Sequence, residues 1–322
     1  MSTAFLILER VRLDLGIGSQ NTFRSNEQES AVTYTIDVAG FHTLGPWRVR
    51  RVGYGAMQLS GDNVFGPPRD RDEALRVLRA AVDAGVDHID TAQFYGPRVV
   101  NELIREALHP YPAGLAIVSK VGARRDTAGA VLRFDDADQL RYDIEQNLTT
   151  LGVDRLAAVN LRLMDDSVPG ARFDAQLASL VRAREEGLID GVGLSNISAD
   201  HLLRALDQTG IVCVQNLFNL ADQRSAAVLK LCIDRDIAFA PFFPLGQWRG
   251  LRSHPVLAAT GGRLHATPAQ IALSWLLDLA PNILLIPGTR TRTHLAENLA
   301  SASVELDDAA RADLAAAFPA GR

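Results

Sequence analysis

The chain has 322 residues, 47% of them hydrophobic, enough for one large barrel or for two ordinary domains. A formal net charge of -5 and the lack of any Lys/Arg run argue against nucleic acid or an acidic membrane as a partner. The two cysteines, Cys213 and Cys232, stand at no zinc or redox spacing and are too few for a disulfide scaffold, which fits a reducing compartment; the cytoplasm is the expected location.

Near the start, Ala4-Phe5-Leu6-Ile7-Leu8 is followed at once by Glu9-Arg10, too short for a membrane span and without the flanks of a signal peptide. Residues 1–33 read as an extension, disordered or loosely docked: Val11, Leu13 and Leu15 alternate with Arg12 and Asp14, and Ser19 to Ser30 is polar. A single domain is expected over 34–322. From Tyr34 to Val49, a two-strand pattern broken by Ala39-Gly40 and Leu44-Gly45-Pro46 predicts a hairpin.

Beyond it, apolar runs alternate with amphipathic stretches, the pattern of repeated βα units around a parallel sheet. Strands are expected at Val52 to Met57, Val86 to Asp90, Leu115 to Lys120, Leu156 to Leu161, Gly191 to Leu194, Ile211 to Val214, Ile237 to Ala240 and Ile283 to Ile286. Asp70 and Glu73 form a capping-box pattern ahead of Leu75, Leu78 and Val82, and Leu140, Ile144, Leu148 and Leu151 share one helix face before Gly152. Eight strands fit an α/β fold, a closed (β/α)8 TIM barrel, with active-site residues at the C-terminal strand ends. No Gly-x-Gly-x-x-Gly follows a strand, so a Rossmann domain is unsupported.

The stretch Ile89-Asp90-Thr91-Ala92-Gln93-Phe94-Tyr95-Gly96 puts a carboxylate at a strand end and a tyrosine one loop beyond. Ile117-Val118-Ser119-Lys120 ends the next strand in a lysine. On parallel neighbouring strands the three side chains form one cluster. His88 shares strand parity with Asp90 and is expected beneath it as a hydrogen-bonded core histidine; no metal-ligand spacing surrounds it, and no metal is expected.

From about Gly53 to the last helix the chain resembles the aldo-keto reductase family. The likeness rests on Asp90-Thr91-Ala92 with Tyr95-Gly96, on Lys120, and on Gly53-Tyr54-Gly55-Ala56-Met57, Gly191-Val192-Gly193-Leu194-Ser195-Asn196, Gln215-Asn216, Pro244-Leu245-Gly246, Thr267-Pro268-Ala269-Gln270-Ile271-Ala272 and Ile286-Pro287-Gly288-Thr289-Arg290. A narrower likeness, to bacterial members of the pyridoxal reductase type, rests on Ala158-Val159-Asn160-Leu161-Arg162 and on Phe239 to Gly246. The resemblance implies that the hairpin closes the barrel bottom and that the chain reduces an aldehyde or ketone with NADPH. Tyr95 would donate a proton while hydride reaches the carbonyl carbon. An unperturbed phenol near pKa ~10 is a reluctant acid, so Lys120 is expected to lower it and Asp90 to hold Lys120 charged.

The sequence departs from the family at Arg162, where a histidine is usual, with Asn160 on the same strand face. Arginine cannot share a proton, yet it can donate hydrogen bonds to a substrate oxygen or hold an anionic group. The alternative is a guanidinium paired with Asp165 or Asp166.

The resemblance further implies an extended NADPH across the barrel mouth. Ala56, Met57 and Asp90 would lie beside it, Ser195, Asn196 and Gln215 on the nicotinamide amide, Phe242 on the ring with Phe243 and Pro244 next in the chain, Phe243 reading equally as a core aromatic, and the backbone of Leu245 and Gly246 at the pyrophosphate. Gly288, Thr289, Arg290 and His294 would face a 2′-phosphate, favouring NADP over NAD, and Glu297 and Asn298 the adenine. The family often carries basic residues where Gly288 and His294 stand, so weaker selectivity is expected. The expected partner is a small carbonyl compound, and the expected state a monomer or small homo-oligomer. A nucleotide-binding regulatory subunit with slow turnover is the competing reading, and a phosphate-binding barrel isomerase a third that lacks a Glu/His pair.

Overall fold

The computed structural model describes residues 36–164, 168–246, 251 and 253–319. The extension expected over 1–33 and the carboxylates Asp165 and Asp166 lie outside the described residues.

Strands β1 (Phe41–Leu44) and β2 (Trp47–Arg50) form the predicted hairpin, with Leu44 opposite Trp47 across Gly45-Pro46. Its lead-in is a 3-10 turn, Ile36–Ala39, rather than a strand, and the Gly40 N–H closes it on the Asp37 carbonyl. Leu44 and Val49 pack with Ala116, Ala158, Cys213 and Ala238, the first inward residues of four barrel strands. The hairpin therefore seals the bottom of the barrel.

The chain then runs β3 (Tyr54–Gly55), α1 (Arg71–Asp83), β4 (His88–Asp90), α2 (Val99–Leu108), β5 (Ala116–Arg125), β6 (Val131–Phe134), α3 (Ala137–Leu151), β7 (Ala158–Arg162) and α4 (Ala171–Glu185). It continues through β8 (Val192–Ser195), α5 (Ala199–Leu206), β9 (Cys213–Gln215), α6 (Ala226–Asp234), β10 (Ala238–Phe239), α7 (Pro255–Leu264), α8 (Pro268–Leu279), α9 (Arg292–Ala300) and α10 (Asp308–Ala317). Seven strands make a parallel ladder in the order β10-β9-β8-β7-β5-β4-β3. The eighth segment, 283–286, joins both edges through the bridges Phe239–Ile283 and Val52–Leu285, which closes the (β/α)8 barrel.

Inward positions are mostly small, which leaves room for the few large polar side chains among them. A Cβ on Gly53 would lie 2.2 Å from His88 Nε2, so the missing side chain accommodates the imidazole. His88 is buried as expected, but its Nδ1 is 3.6 Å from Asp87 Oδ1, too long for a hydrogen bond, and neither ring nitrogen has a hydrogen-bond partner. The Asp87 carboxylate is instead taken by the Arg50 backbone N–H and guanidinium.

Two local expectations need correction. The Asp70 side chain accepts from the Glu73 N–H, but the Glu73 carboxylate pairs with Arg76 and Arg292, so only half of the capping box forms. β5 does not end at Lys120: it runs to Arg125 and folds back on β6 as an antiparallel hairpin. Gly122, at φ +108°, permits this departure, since a Cβ there would lie 2.5 Å from the Arg162 carbonyl oxygen.

One half-buried and one buried charged group bear on stability. Arg51 donates to the carbonyls of Ala39, Leu277, Ala280 and Ile283, tying the first strand to the last βα unit across the barrel seam. Asp143 on α3 is buried with one carboxylate oxygen unpartnered, and burial pushes its pKa up to about 7.

Arg51→Met should destabilise the fold by about 2–4 kcal/mol in urea unfolding, because buried carbonyls lose their donor. For Asp143 the folded pKa exceeds the unfolded one, so the native state holds the proton more tightly. Stability should then fall as pH rises from the ordinary carboxylate range through about 7. Asp143→Asn should remove this pH dependence, about 4 kcal/mol at most, measured as the difference in unfolding free energy between pH 4 and pH 8.

Candidate active site

Parallel pairing of β4 and β5 brings Asp90 and Lys120 together at the C-terminal mouth of the barrel. Lys120 Nζ lies 2.5 Å from Asp90 Oδ1 and donates to the Thr91 carbonyl at 3.0 Å. Gln215 Nε2, from β9 across the lumen, donates to Asp90 Oδ2 at 2.7 Å. Both charged residues are 4% exposed. Burial pushes the Lys120 ammonium down, but Asp90 and the Tyr95 phenol outweigh it and its pKa is raised.

The loop after β4 places the Tyr95 ring centroid 4.9 Å from Lys120 Nζ. Tyr95 N–H caps a turn on the Ala92 carbonyl, and the ring of Phe94 meets it edge-on at 5.1 Å. Gly96, at φ +72°, donates to the Val64 carbonyl and ties this loop to the one after β3. Contrary to the expectation from the sequence, the phenol pKa lies above its ordinary value. Burial raises it and Asp90 adds to that, and together they exceed the opposing pull of Lys120 and Arg162.

Behind this loop lies a buried polar network that the sequence reading missed. Asn101 on α2 accepts from Thr91 Oγ1 at 2.7 Å and donates to Gln93 and to Asn147 of α3. Ser119, next to Lys120, donates to Asn147 at 2.6 Å, and Thr150 donates to Gln93 at 2.9 Å. The available signal was polar residues at core-facing helix positions: Asn101 lies between Val100 and Leu103, and Asn147 three residues after Ile144.

Arg162 ends β7, its guanidinium carbon 6.0 Å from the Phe94 ring centroid and Nη1 2.6 Å from Met164 Sδ. Asn160, in register with Lys120 and Gly193, is fully buried deeper in the barrel. Neither of its amide atoms has a hydrogen-bond partner, and a Cβ on Gly193 would fall 1.9 Å from its Oδ1. The structure thus brings Asp90, Lys120, Tyr95 and Arg162 together and sets Asn160 beneath them.

The remaining sequence candidates ring the same mouth. Ser195 is buried, and Asn196, at φ +59°, donates to the Leu163 carbonyl at 3.0 Å. The amide nitrogen of Gln215 is committed to Asp90. Phe242 and Phe243 are half-buried and edge-on at 5.4 Å, with Phe243 at φ +51°, a strained position for an aromatic. Gly246 N–H closes a turn on the Phe243 carbonyl, so it does not point to an outside acceptor. Gly288 packs against β3, where a Cβ would lie 2.6 Å from the Gly55 carbonyl oxygen, and Ala56 and Met57 begin a 3-10 turn beside it.

Thr289 Oγ1 is engaged with the Thr291 backbone, whereas Arg290 and His294 are exposed, Arg290 Nη2 reaching Gln58 at 3.3 Å. Glu297 accepts at its backbone carbonyl from Gln270. Asn298 is 1% exposed with neither amide atom partnered. Among the described residues, no three His, Cys, Asp or Glu side chains stand where they would hold a metal ion, and no helix is long and apolar enough to cross a membrane.

The profile of the Aldo/keto reductase family matches residues 51–256 and 250–317. The chain is 46% identical to a protein of Escherichia coli K12 named pyridoxine 4-dehydrogenase, over 83% of this chain and 94% of the relative. It also resembles a solved thermostable aldo-keto reductase bound to the inhibitor epalrestat, at TM-score 0.74 and 26% identity, over 86% of this chain and 98% of the other. An aldo/keto reductase from Klebsiella pneumoniae, solved with NADP and acetate, shares the fold at TM-score 0.72 and 22% identity, over 88% and 96% of the two chains.

Asp90→Asn should leave a buried ammonium without its counterion and destabilise the protein by about 3–5 kcal/mol in urea unfolding at pH 7. Asp90→Asn combined with Lys120→Met should recover part of that loss. A single variant as stable as the wild type would show that the pair is not electrostatically coupled.

Proposed function

The chain belongs to the aldo/keto reductase family, and from that premise we propose that it is an NADPH-dependent oxidoreductase that reduces an aldehyde or ketone to an alcohol, with Tyr95 as proton donor. The observation that carries this reading is the Asp90–Lys120–Tyr95 cluster at the barrel mouth. When bound, the nicotinamide supplies the hydride that reaches the carbonyl carbon. Tyr95 gives its phenolic proton to the developing alkoxide, and Lys120 stabilises the phenolate left behind. Asp90 keeps Lys120 charged and aimed. Arg162 takes the place usual for a histidine, donating to the substrate oxygen without exchanging a proton, with Asn160 supporting the wall beneath it.

The residues suit a dinucleotide. The unpartnered buried amide of Asn298 presents the donor and acceptor that an adenine edge needs, and Glu297 lies beside it. Arg290 and His294, exposed at the start of α9, suit a 2′-phosphate, with Thr289 and Gly288 shaping the approach. Ser195, Asn196 and the carbonyl of Gln215 would hold the carboxamide while Gln215 keeps its amide on Asp90. Phe242 would stack on the ring, with Phe243 and Pro244 behind it. Leu245 rather than Gly246 is the backbone donor for the pyrophosphate, beside Ala56 and Met57.

A polar aldehyde of the pyridoxal kind is the proposed substrate class, supported by the E. coli relative's name and by the aromatic and cationic wall of Phe94 and Arg162. Two buried free cysteines fit the cytoplasm, and a monomer or small homo-oligomer suffices for this chemistry. The replacement of histidine by Arg162 favours a second reading, a nucleotide-binding regulatory subunit with little turnover.

Nicotinamide absorbance with NADPH and an aldehyde panel including pyridoxal separates the two. Tyr95→Phe should lower kcat by roughly 10²- to 10⁴-fold. Tight NADPH binding without turnover in the wild type would favour the regulatory reading instead. Because the phenol pKa is raised, Tyr95 keeps its proton through neutral pH. Reduction should stay level there and decline only on the alkaline side, while oxidation of the alcohol, which needs the phenolate, should rise with pH. Lys120→Met removes a cation that pulls the phenol down and should move that alkaline limb higher still.

A further inference from the structure

Arg125 lies in the part of β5 that leaves the barrel, where no role has been assigned to it. One contact of its own and three of its neighbours set it beside the Tyr95 loop. Its Nη1 donates to the Gly129 carbonyl at 2.6 Å, which pins the guanidinium under the β5–β6 turn. That turn lies against the loop after β3, since a Cβ on Gly129 would be 3.3 Å from Phe65 Cγ. The same loop receives the Gly96 N–H of the Tyr95 loop at Val64. On the other side, Gly122 of the same strand packs directly on the Arg162 backbone.

Two guanidiniums therefore flank the Tyr95 loop, from β5 and from the end of β7. Among the described residues, neither pairs with a carboxylate, and Arg125 Nε is buried with no hydrogen-bond partner at all. Elsewhere in this protein partly buried arginines are paired with carboxylates or spread over carbonyls, as Arg50, Arg311 and Arg51 are. Two cations near one phenol, without a carboxylate partner among the described residues, make a positive potential that an anion would neutralise. Burial lowers the pKa of both guanidiniums, and each is acted on by the Tyr95 phenol, in keeping with a shared site.

We propose that Arg125, beside the positive charge of Arg162, receives a negatively charged substituent of the substrate, so that carbonyl compounds bearing a carboxylate or phosphate group are preferred to neutral ones. The inference rests on the reductase reading for its assay and extends it by naming a charge requirement and a second residue that sets it.

The test uses the full chain with NADPH and three matched aldehydes: 4-formylbenzoate, 4-formylphenyl phosphate and the neutral methyl 4-formylbenzoate. The wild type should favour one or both charged aldehydes over the ester by tenfold or more in kcat/KM, and the better of the two identifies the anion. Arg125→Gln should cut that preference at least tenfold, with Arg125→Lys restoring part of it. A wild type without charge preference, or a preference unchanged in Arg125→Gln, would overturn the proposal. If neither these aldehydes nor pyridoxal turns over, the reductase reading fails by itself. The anion site then stands or falls on thermal-shift titration with benzoate and inorganic phosphate. Saturable stabilisation lost in Arg125→Gln supports it, and equal responses in the two proteins reject it.

Discussion

The buried ion pair of Asp90 and Lys120 is the interaction around which the barrel mouth is organised. Removing two charges from water costs several kcal/mol per ion, and their attraction offsets this only where further hydrogen bonds satisfy the remaining lone pairs and protons. Here the Thr91 carbonyl takes a second Lys120 proton and Gln215 occupies the other Asp90 oxygen. The pair constrains topology, because it forms only if β4 and β5 are parallel neighbours. It also constrains the lumen: Gln215 arrives from β9, and its reach to β4 needs a narrow interior. Glycines at 53, 55, 191 and 193 and alanines at 116, 158 and 238 keep that interior free of competing bulk.

Rigidity of the mouth comes from outside the barrel wall. Thr91 and Gln93 precede Tyr95 in its loop and Ser119 precedes Lys120 on β5, and all three bond to Asn101 or Asn147 on the covering helices. A buried network of this kind has one arrangement in which each member is satisfied, so it resists rearrangement. The loop that carries the phenol and the strand that carries the ammonium are thereby tied to two helices outside the barrel wall.

Much of this was legible in the sequence because the barrel imposes a simple rule. An apolar run ending in a charged residue puts that residue at the mouth, which was enough to place Asp90 and Lys120 and, by strand parity, to put His88 below them. Arg162 followed from the resemblance to the family, at the position where a histidine is usual. The β5–β6 hairpin was not legible: Arg124-Arg125-Asp126 and Arg133 interrupt any alternation, and the segment is held by backbone pairing and Gly122 rather than by an apolar face. The unpartnered ring of His88 and the buried, unpartnered amide of Asn160 were equally hidden. Parity predicts which way a side chain points, but not whether a donor waits for it there. The phenol pKa was misjudged for a related reason: Lys120 and Asp90 act on it in opposite senses, and the burial that decides the sign depends on the surrounding loops.

A guanidinium where the family resemblance leads one to expect an imidazole changes the electrostatics of the mouth. Imidazole beside a buried phenol can be neutral, whereas Arg162 adds a permanent positive charge to a mouth that already holds Lys120. Near Tyr95 the described charges are then one carboxylate against Lys120, Arg162 and Arg125, an excess of positive charge in a partly buried space. A neutral phenol does not relieve that excess, but a phenolate or a bound anion does. The three cations offset part of the burial cost of a phenolate without overcoming it, and they favour any substrate that brings negative charge with it. Under the proposed assignment, the substitution that looks like a lost catalytic residue shifts the site from neutral carbonyls toward anionic ones while leaving Tyr95 to supply the proton.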